Sequence, residues 1–214
     1  MIKAVIFDMD GVIINTEDMW DQATEAVLKL HGKEYRRDIL KEICVGKGFR
    51  ESCTVLMDYY GLKIDLNKFM DQRRNIIQNK YKNELEFIPG FLEFFKNTVM
   101  PNYKTCIATA SGRMFIDLVD ERLQISKLFN NEVYSIADVN HIPKPDPAVF
   151  LFAAEQIGIS PEECVVIEDS PNGIKGAKAA GMKCIGITTT FEKEHLQEAD
   201  IIINSFEEID LNKF

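Results

Sequence analysis

Short apolar runs alternate with helically spaced apolar residues along most of the chain. The runs have the length of strands that are buried on both faces, as in a parallel sheet. Apolar residues at three- and four-residue spacing follow most of them and indicate helices. This alternation predicts a parallel sheet with helices on both faces. The predicted strands are 2–7, 104–108, 133–136, 164–167, 184–187 and 201–203, and the helices of the same region are 91–96, 115–123, 150–157 and 172–180.

The region between the first two strands has only helical spacing. From Glu17 to about Lys82 there are four amphipathic stretches and no convincing strand, which indicates an inserted helical block. We therefore predict a core domain of residues 1–15 and 83–214, and a small helical domain of residues 16–82 over the strand ends. The helical stretches are centred on 20–30, 39–43, 55–59 and 66–82.

The composition narrows the possible partners. A chain of 214 residues, 46% of them apolar and without a low-complexity tract, can form one large domain or a core domain with a modest insert. Acidic residues outnumber basic ones by 34 to 25, and the net charge of −9 argues against nucleic acid and anionic membranes as partners. No signal peptide and no apolar run of membrane-spanning length are evident, so we expect a cytoplasmic protein, monomeric by default.

The cysteines do not indicate a disulfide framework. They are odd in number, scattered, and without any Cys-x-x-Cys pair. We expect reduced, mostly buried thiols rather than disulfides or a zinc site. The five cysteines are Cys44, Cys53, Cys106, Cys164 and Cys184.

Two carboxylates stand where the first strand ends. Asp8 and Asp10 are two residues apart, and Gly11 allows a sharp exit of the chain. In an open α/β sheet this edge is where ligands bind. Carboxylates this close repel each other, so the pair requires a cation or a shared proton at neutral pH. Taken alone the pattern is weak, because Asp-x-Asp also occurs by chance and in surface calcium loops.

Further polar groups follow other predicted strands. Thr109, with the backbone amides of Ala110 and Ser111, follows the strand after the helical block. Lys144 precedes a later helix, and Glu168 with Asp169 ends another strand. All of them converge on one edge of a parallel sheet. Carboxylates suit Mg²⁺, while an ammonium and free amides suit phosphoryl oxygens, so the set indicates a phosphate monoester as substrate. Each residue also has an ordinary structural role available: helix capping for Thr109, a solvated loop for Lys144, and a helix-dipole contact for the acidic pair.

The constellation resembles the haloacid dehalogenase superfamily, whose four motifs occur here in order. They correspond to Asp8-Met9-Asp10-Gly11-Val12, Thr109, Lys144 and Glu168-Asp169, and the resemblance extends to Asn172-Gly173-Ile174. The helical block lies where a cap domain of the first class belongs. The resemblance thus implies an α/β fold, a Rossmann-like parallel sheet core flanked by helices, with a small α-helical cap domain inserted after strand 1. Within the superfamily the chain looks most like sugar-phosphate phosphatases and beta-phosphoglucomutases.

The resemblance also implies roles for these residues. Asp8 would be the nucleophile and a magnesium ligand, and Asp10 the general acid and base, with its backbone carbonyl on the metal. Asp169 would be the second metal ligand, supported by Glu168. The transferring phosphoryl group would be held by Thr109, Ala110, Ser111 and Lys144, and Thr16 would belong to the hinge. The partner would be a small-molecule phosphate ester, hydrolysed through an aspartyl phosphate.

Substrate contacts outside the core motifs are less determined. Gly46 and Arg50 lie in a glycine- and cation-containing stretch that could read the leaving group or be a plain surface turn. Trp20 could face the substrate or belong to the core of the helical domain. Arg113 is an exposed helix residue by default and could also contact substrate.

Three alternatives to a phosphatase stay open. Beta-phosphoglucomutases carry a cap histidine four residues after the hinge threonine, where this chain has Trp20, and a lysine before the cap-loop glycine, where it has Val45. Both differences favour hydrolysis, with a mutase as the second candidate. A receiver-type signalling domain would be shorter and lack the insert. A catalytically silent phosphate-binding module should have lost at least one core residue, and none is lost.

Overall fold

The computed structural model describes residues 1–44 and 48–214, apart from the side chains of Lys41, Glu42 and Cys44. The chain forms two compact units. The first unit contains Met1–Asn15 and Leu85–Phe214, and the second contains Thr16–Glu84. Among the described residues no helix has the length and apolar character needed to cross a membrane.

The first unit is built on a six-stranded sheet in which every neighbouring pair is parallel. The strand order is β3-β2-β1-β4-β5-β6, so the direction of winding reverses beside β1. All six predicted strands and the predicted α/β fold class are confirmed. The strands are β1 (Ala4–Phe7), β2 (Lys104–Thr109), β3 (Val133–Ser135), β4 (Cys164–Glu168), β5 (Lys183–Ile187) and β6 (Ile201–Ile203).

Helices follow the strands as the apolar spacing predicted. The π-helical turn Phe95–Val99, which extends α5, and the short helix α7 are among the features that were not predicted. Gln124 has a positive φ of 54° between α6 and α7, which ends one helix and starts the next. The helices of this unit are α5 (Phe91–Phe94), α6 (Arg113–Leu123), α7 (Ile125–Leu128), α8 (Ala148–Gln156) and α9 (Pro171–Ala179).

The core explains why β1 is apolar throughout. Ile6 belongs to a buried cluster with Phe150 and Ile174, which come from α8 and α9. The Phe7 ring contacts an aromatic group instead, with centroids 5.7 Å from Phe91 and 5.7 Å from Phe129. Successive strand residues point to opposite faces, so both faces of the sheet are covered.

The second unit, Thr16–Glu84, is helical. Its helices are α1 (Glu17–Leu30), α2 (Arg37–Cys44), α3 (Phe49–Tyr60) and α4 (Leu66–Glu84). Gly61 ends α3 in the left-handed conformation, at φ 60°. The unit has its own core, formed by Val27, Leu28, Leu40, Cys53, Leu56 and Phe69.

Four of the five cysteines have described side chains, and all four are buried and free, as expected. Burial raises the pKa of the Cys106 and Cys184 thiols well above the ordinary value. These two groups are therefore inert, protonated components of the core. The side chain of Cys44 lies outside the described part of the chain.

Candidate active site

Three charged side chains meet where the two central strands end. Asp8 follows β1 directly, and Glu168 is the last residue of the neighbouring strand β4. Lys144 Nζ donates to Asp8 Oδ1 at 2.5 Å and to Glu168 Oε1 at 2.8 Å. Each of the three side chains is less than one tenth exposed. Burial of this kind makes charge pairing obligatory and excludes competing water.

Lys144 lies among more carboxylates than its single positive charge can neutralise. Asp8, Glu168 and Asp169 each offer a carboxylate oxygen, and these atoms lie within 4.8 Å of one another. Burial raises the pKa of Asp8 to about 8, with repulsion from Glu168 and Asp10 adding to the effect and Lys144 opposing it. Burial and repulsion from Glu168 and Asp8 likewise raise the pKa of Asp169 well above its usual range. An all-oxygen donor set with this excess of negative charge fits a hard divalent cation.

Lys144 is held in its charged form. Burial acts against the ammonium, but the carboxylates of Asp8 and Glu168 outweigh this and raise the pKa of Lys144 above its ordinary value. The ammonium nitrogen also lies 4.7 Å from the centre of the Phe150 ring. The site thus presents a fixed positive charge next to Asp8.

Glu168 is positioned through both of its oxygens. While Oε1 accepts from Lys144, Oε2 accepts from the Ser170 amide at 2.8 Å and from Ser170 Oγ at 2.9 Å. Ser170 Oγ accepts in turn from the Gly173 amide and so caps α9. A Cβ at position 173 would lie 1.6 Å from Glu168 Oε1, which is why a glycine stands there.

Asp10 occupies a different part of the edge. Ser111 Oγ donates to Asp10 Oδ2 at 2.6 Å, and the Ser111 amide donates to Thr109 Oγ1 at 3.0 Å. Thr109 is buried at the end of β2, and Gly112, not Thr109, occupies the N-cap position of α6. This part of the site therefore joins the carboxyl ends of β1 and β2.

Two threonines that sequence reasoning did not select complete the acidic side. The Thr190 hydroxyl lies beside Gly11 together with the Asp169 carboxylate and opposes the rise of the Asp169 pKa, and the Thr189 hydroxyl donates to the Gly11 carbonyl. Gly11 has φ +77°, and a Cβ there would lie 1.9 Å from Asp169 Oδ2. Sequence analysis could have identified Thr189 and Thr190 from their position shortly after the predicted strand 184–187, because residues that follow a strand lie at the same edge of the sheet.

The remaining predicted residues have other partners or belong to the helical unit. Arg113 begins α6, and its Nη2 donates to both oxygens of Asp138, at 2.6 and 2.7 Å. Trp20 and Arg50 belong to α1 and α3 of the helical unit, and Thr16 is the buried N-cap of α1. Gly46 lies outside the described residues. The structure thus gathers Asp8, Asp10, Thr109, Ser111, Lys144, Glu168 and Asp169 at one sheet edge.

A comparison of the sequence with known families agrees with this geometry. Residues 5–187 match the profile of the haloacid dehalogenase-like hydrolases. The chain belongs to this family. The predicted superfamily and the predicted hydrolase class are confirmed.

Individual relatives carry related descriptions. The chain is 31% identical over 184 residues to a probable pseudouridine-5'-phosphatase of Drosophila melanogaster, covering 84% of this chain and 79% of that protein. It is 32% identical to a phosphorylated carbohydrates phosphatase of Thermotoga maritima, covering 86% and 84%. Among solved structures, a putative beta-phosphoglucomutase of Thermotoga maritima is 29% identical, with a TM-score of 0.79 and 94% of both chains covered.

Proposed function

We propose that this haloacid dehalogenase-like hydrolase is a magnesium-dependent phosphatase for a small phosphate monoester, a sugar phosphate in particular. The observation that carries the proposal is the buried Asp8–Lys144–Glu168 constellation beside Asp169, at the ends of the two central strands. It combines a carboxylate nucleophile, a fixed cation and an oxygen donor set. The descriptions of the relatives as phosphatases of a nucleotide and of carbohydrates support the substrate class.

The reaction starts from Asp8. One of its carboxylate oxygens attacks phosphorus, forming an aspartyl phosphate while the bond from phosphorus to the leaving-group oxygen breaks. The Lys144 ammonium holds the Asp8 carboxylate and stabilises the negative charge that gathers on the phosphoryl oxygens. Thr109 and the amides of Ala110 and Ser111 lie at the end of β2 and complete the phosphoryl contacts in this proposal.

Asp10 moves the protons. Its carboxyl group gives a proton to the leaving alkoxide and then takes one from the water that attacks the aspartyl phosphate. Inorganic phosphate leaves and Asp8 is restored. The hydrogen bond from Ser111 Oγ fixes the Asp10 carboxyl group for both steps.

The acidic cluster fits a magnesium ion. Asp8, Asp169 and the backbone carbonyl of Asp10 would hold it, with Glu168 in support. When bound, the ion supplies positive charge that offsets the repulsion among these carboxylates and the charge of the phosphoryl group.

A mutase is the second candidate, because a putative beta-phosphoglucomutase is among the similar structures. Trp20 argues against it. Its ring lies beside Phe49 and under the Arg73 guanidinium, and an indole cannot replace the acid–base chemistry of a histidine. We also propose that the helical unit acts as the cap domain and determines which leaving group is accepted.

The proposal is tested by measuring phosphate release from a panel of sugar phosphates, with Mg²⁺ and with EDTA. We expect turnover that requires Mg²⁺ and that Asp8→Asn abolishes while the protein stays folded. An Asp8→Asn enzyme with appreciable turnover would refute the nucleophile assignment. Complete inactivity of the wild type on all esters would favour the silent binding module.

A further inference from the structure

The Lys144 ammonium has an aromatic partner besides its two carboxylates. Its Nζ lies over the Phe150 ring, 4.7 Å from the ring centre. Phe150 is fully buried, and the Lys144 side chain is only 6% exposed. The attraction between a cation and an aromatic face is strongest where water is excluded from both. The ring therefore gives Lys144 a buried partner that carries no formal charge.

The Phe150 ring is itself held from several sides. The residue belongs to α8 and packs in the buried cluster that contains Ile6 of β1 and Ile174 of α9. Gly176 of α9 lies so close that a Cβ there would be 3.2 Å from Phe150 Cε2 and 3.3 Å from the Pro145 carbonyl oxygen. Because the surroundings are this closely packed, the ring offers a fixed surface to the lysine.

Lys144 gains from a fixed surface because its side chain is long and flexible, so holding it in one conformation costs entropy. Its hydrogen bonds go to Asp8 Oδ1 and Glu168 Oε1. In the proposed mechanism the Asp8 carboxylate becomes an aspartyl phosphate, whose acyl oxygens carry no charge and accept more weakly. At that stage Glu168 and the Phe150 ring are the partners that still hold the ammonium at full strength.

We propose that Phe150 is a positioning residue for catalysis, whose ring holds the Lys144 ammonium in place while Asp8 carries the phosphoryl group. The catalytic part rests on the proposed phosphatase function, whereas the contact between ring and ammonium does not. A phenyl ring has no group that can react with phosphate or water, so its effect on turnover passes through Lys144. Weakening the contact should therefore lower kcat.

The first test measures the contact without turnover. Fluorine atoms withdraw negative charge from the face of a phenyl ring and change its size little, so 3,4,5-trifluorophenylalanine at position 150 weakens its attraction for a cation. We expect the melting temperature to fall by about 2–4 °C when Lys144 is present, and not to fall in Lys144→Met. Equal shifts in the two backgrounds would overturn the inference.

Phe129 is the control position for this cycle. It is as deeply buried as Phe150, and its ring contacts that of Phe7 instead of a cation. The same fluorinated residue at position 129 should shift the melting temperature equally with Lys144 and with Lys144→Met. A shift at position 129 that depends on Lys144 as strongly as the shift at position 150 would contradict the specific contact.

The second test measures catalysis with Mg²⁺ and the sugar phosphate that the wild type hydrolyses fastest. Position 150 carries phenylalanine or its 4-fluoro, 3,5-difluoro or 3,4,5-trifluoro derivative. We expect kcat to fall with each added fluorine, by about 5- to 30-fold for the last. The same series at position 129 should leave kcat unchanged. A constant kcat along the series at position 150, or an equal fall at position 129, would overturn the positioning role.

A ring that only fills the core gives a different pattern. It would shift the melting temperature equally in both backgrounds and leave kcat unchanged along the series, which would contradict the proposal. The 4-fluoro derivative is the smallest change and covers the case in which the trifluorinated protein does not fold. If the wild type hydrolyses none of the esters, the proposed function fails and the catalytic part fails with it, while the melting temperatures still decide whether the Phe150 ring holds Lys144.

Discussion

Lys144 Nζ and Asp8 Oδ1 lie 2.5 Å apart although the residues are separated by 136 positions in the sequence. The contact depends on two features of the fold: β1 ends at Phe7, and the segment before α8 brings Lys144 to the same edge of the sheet. The ammonium also bonds Glu168 of β4, so one cation joins the ends of neighbouring strands. Catalysis and the stability of this buried cluster are therefore linked.

Replacement of Lys144 tests this link. We expect Lys144→Met to lower kcat about 10²- to 10³-fold, because a preorganised positive charge next to the phosphoryl group is lost. The buried carboxylates of Asp8 and Glu168 also lose their partner, which lowers the melting temperature. Lys175→Met is the matched control, since Lys175 is half-exposed and only 3.6 Å from Glu198 in a surface pair. Equal kcat values for the two variants would contradict the role of Lys144.

The threonine run after β5 offers a comparison of adjacent hydroxyl groups. Thr190→Val removes the hydroxyl that lies beside Asp169 and lowers its pKa, and we expect the affinity for Mg²⁺ to fall about 10-fold, as is usual for a partner of a metal ligand. Thr188 donates to the exposed Asn204 Oδ1 instead, so Thr188→Val should leave the affinity unchanged. Isothermal titration with Mg²⁺ measures both. Indistinguishable affinities would show that Thr190 does not position Asp169.

Alanine substitutions at Gly11 and Gly32 distinguish the effect of a steric clash from that of backbone strain. Both have positive φ, +77° and +66°, but a Cβ at Gly32 meets no atom within 4 Å, whereas one at Gly11 would overlap Asp169. Gly32→Ala should cost about 1 kcal/mol in the free energy of unfolding. Gly11→Ala should cost more and should also abolish turnover, because Asp169 is displaced. Urea unfolding and phosphate release test this, and a fully active Gly11→Ala enzyme would contradict it.

We expect Asp169→Asn to have opposite effects on thermal stability, relative to the wild type, with and without Mg²⁺. Without Mg²⁺, Asp169→Asn should raise the melting temperature, because a buried carboxylate that Glu168 and Asp8 repel is removed. With Mg²⁺ at about 100 times its Kd, the wild type should gain about 2.7 kcal/mol and the variant much less. Thermal unfolding with EDTA and with Mg²⁺ gives both values. A variant that Mg²⁺ stabilises as much as the wild type would exclude Asp169 as a ligand.

Asp200, which lies outside the active site, should make the free energy of unfolding depend on pH. Burial opposes its ionisation, but the hydrogen bonds from Lys178 at 2.6 Å and from the Cys184 amide at 2.8 Å outweigh this and lower its pKa. A lowered folded-state pKa contributes stability above the unfolded pKa of about 3.9, and this is lost as the pH falls through the folded value. Asp200→Asn should therefore cost about 1 kcal/mol at pH 7 and progressively less below about pH 4. Urea unfolding of the wild type and the variant between pH 7 and pH 4 and below measures this difference in the free energy of unfolding. A difference that does not change with pH would contradict the lowered pKa of Asp200.

The strands and core motifs were predictable because strong local signals mark them. A buried strand is an apolar run, and a polar residue directly after it lies at the ligand-binding edge whatever the detailed packing. Asp8, Thr109, Glu168 and Asp169 all follow this rule, and Lys144 was recognised through the family motif. The short helix α7 had no such signal, because it depends on a single left-handed residue, Gln124.

The remaining functional candidates depend on neighbours that are distant in sequence. Thr190 acts only because β5 lies beside β4, and a threonine after a strand is otherwise an ordinary turn residue. Arg113 was a candidate for substrate contact, but the structure pairs it with Asp138. That ion pair depends on the turn after β3, which lies far from Arg113 in the sequence.

The central claim, that the chain hydrolyses phosphate monoesters through Asp8, is tested most directly by phosphorus NMR. The enzyme is mixed with Mg²⁺ and beta-glucose 1-phosphate, with other sugar phosphates in parallel, and the products are followed over time. We predict growth of the inorganic phosphate signal from at least one ester, and none with Asp8→Asn. Growth of glucose 6-phosphate in place of inorganic phosphate would contradict this account and make the protein a mutase.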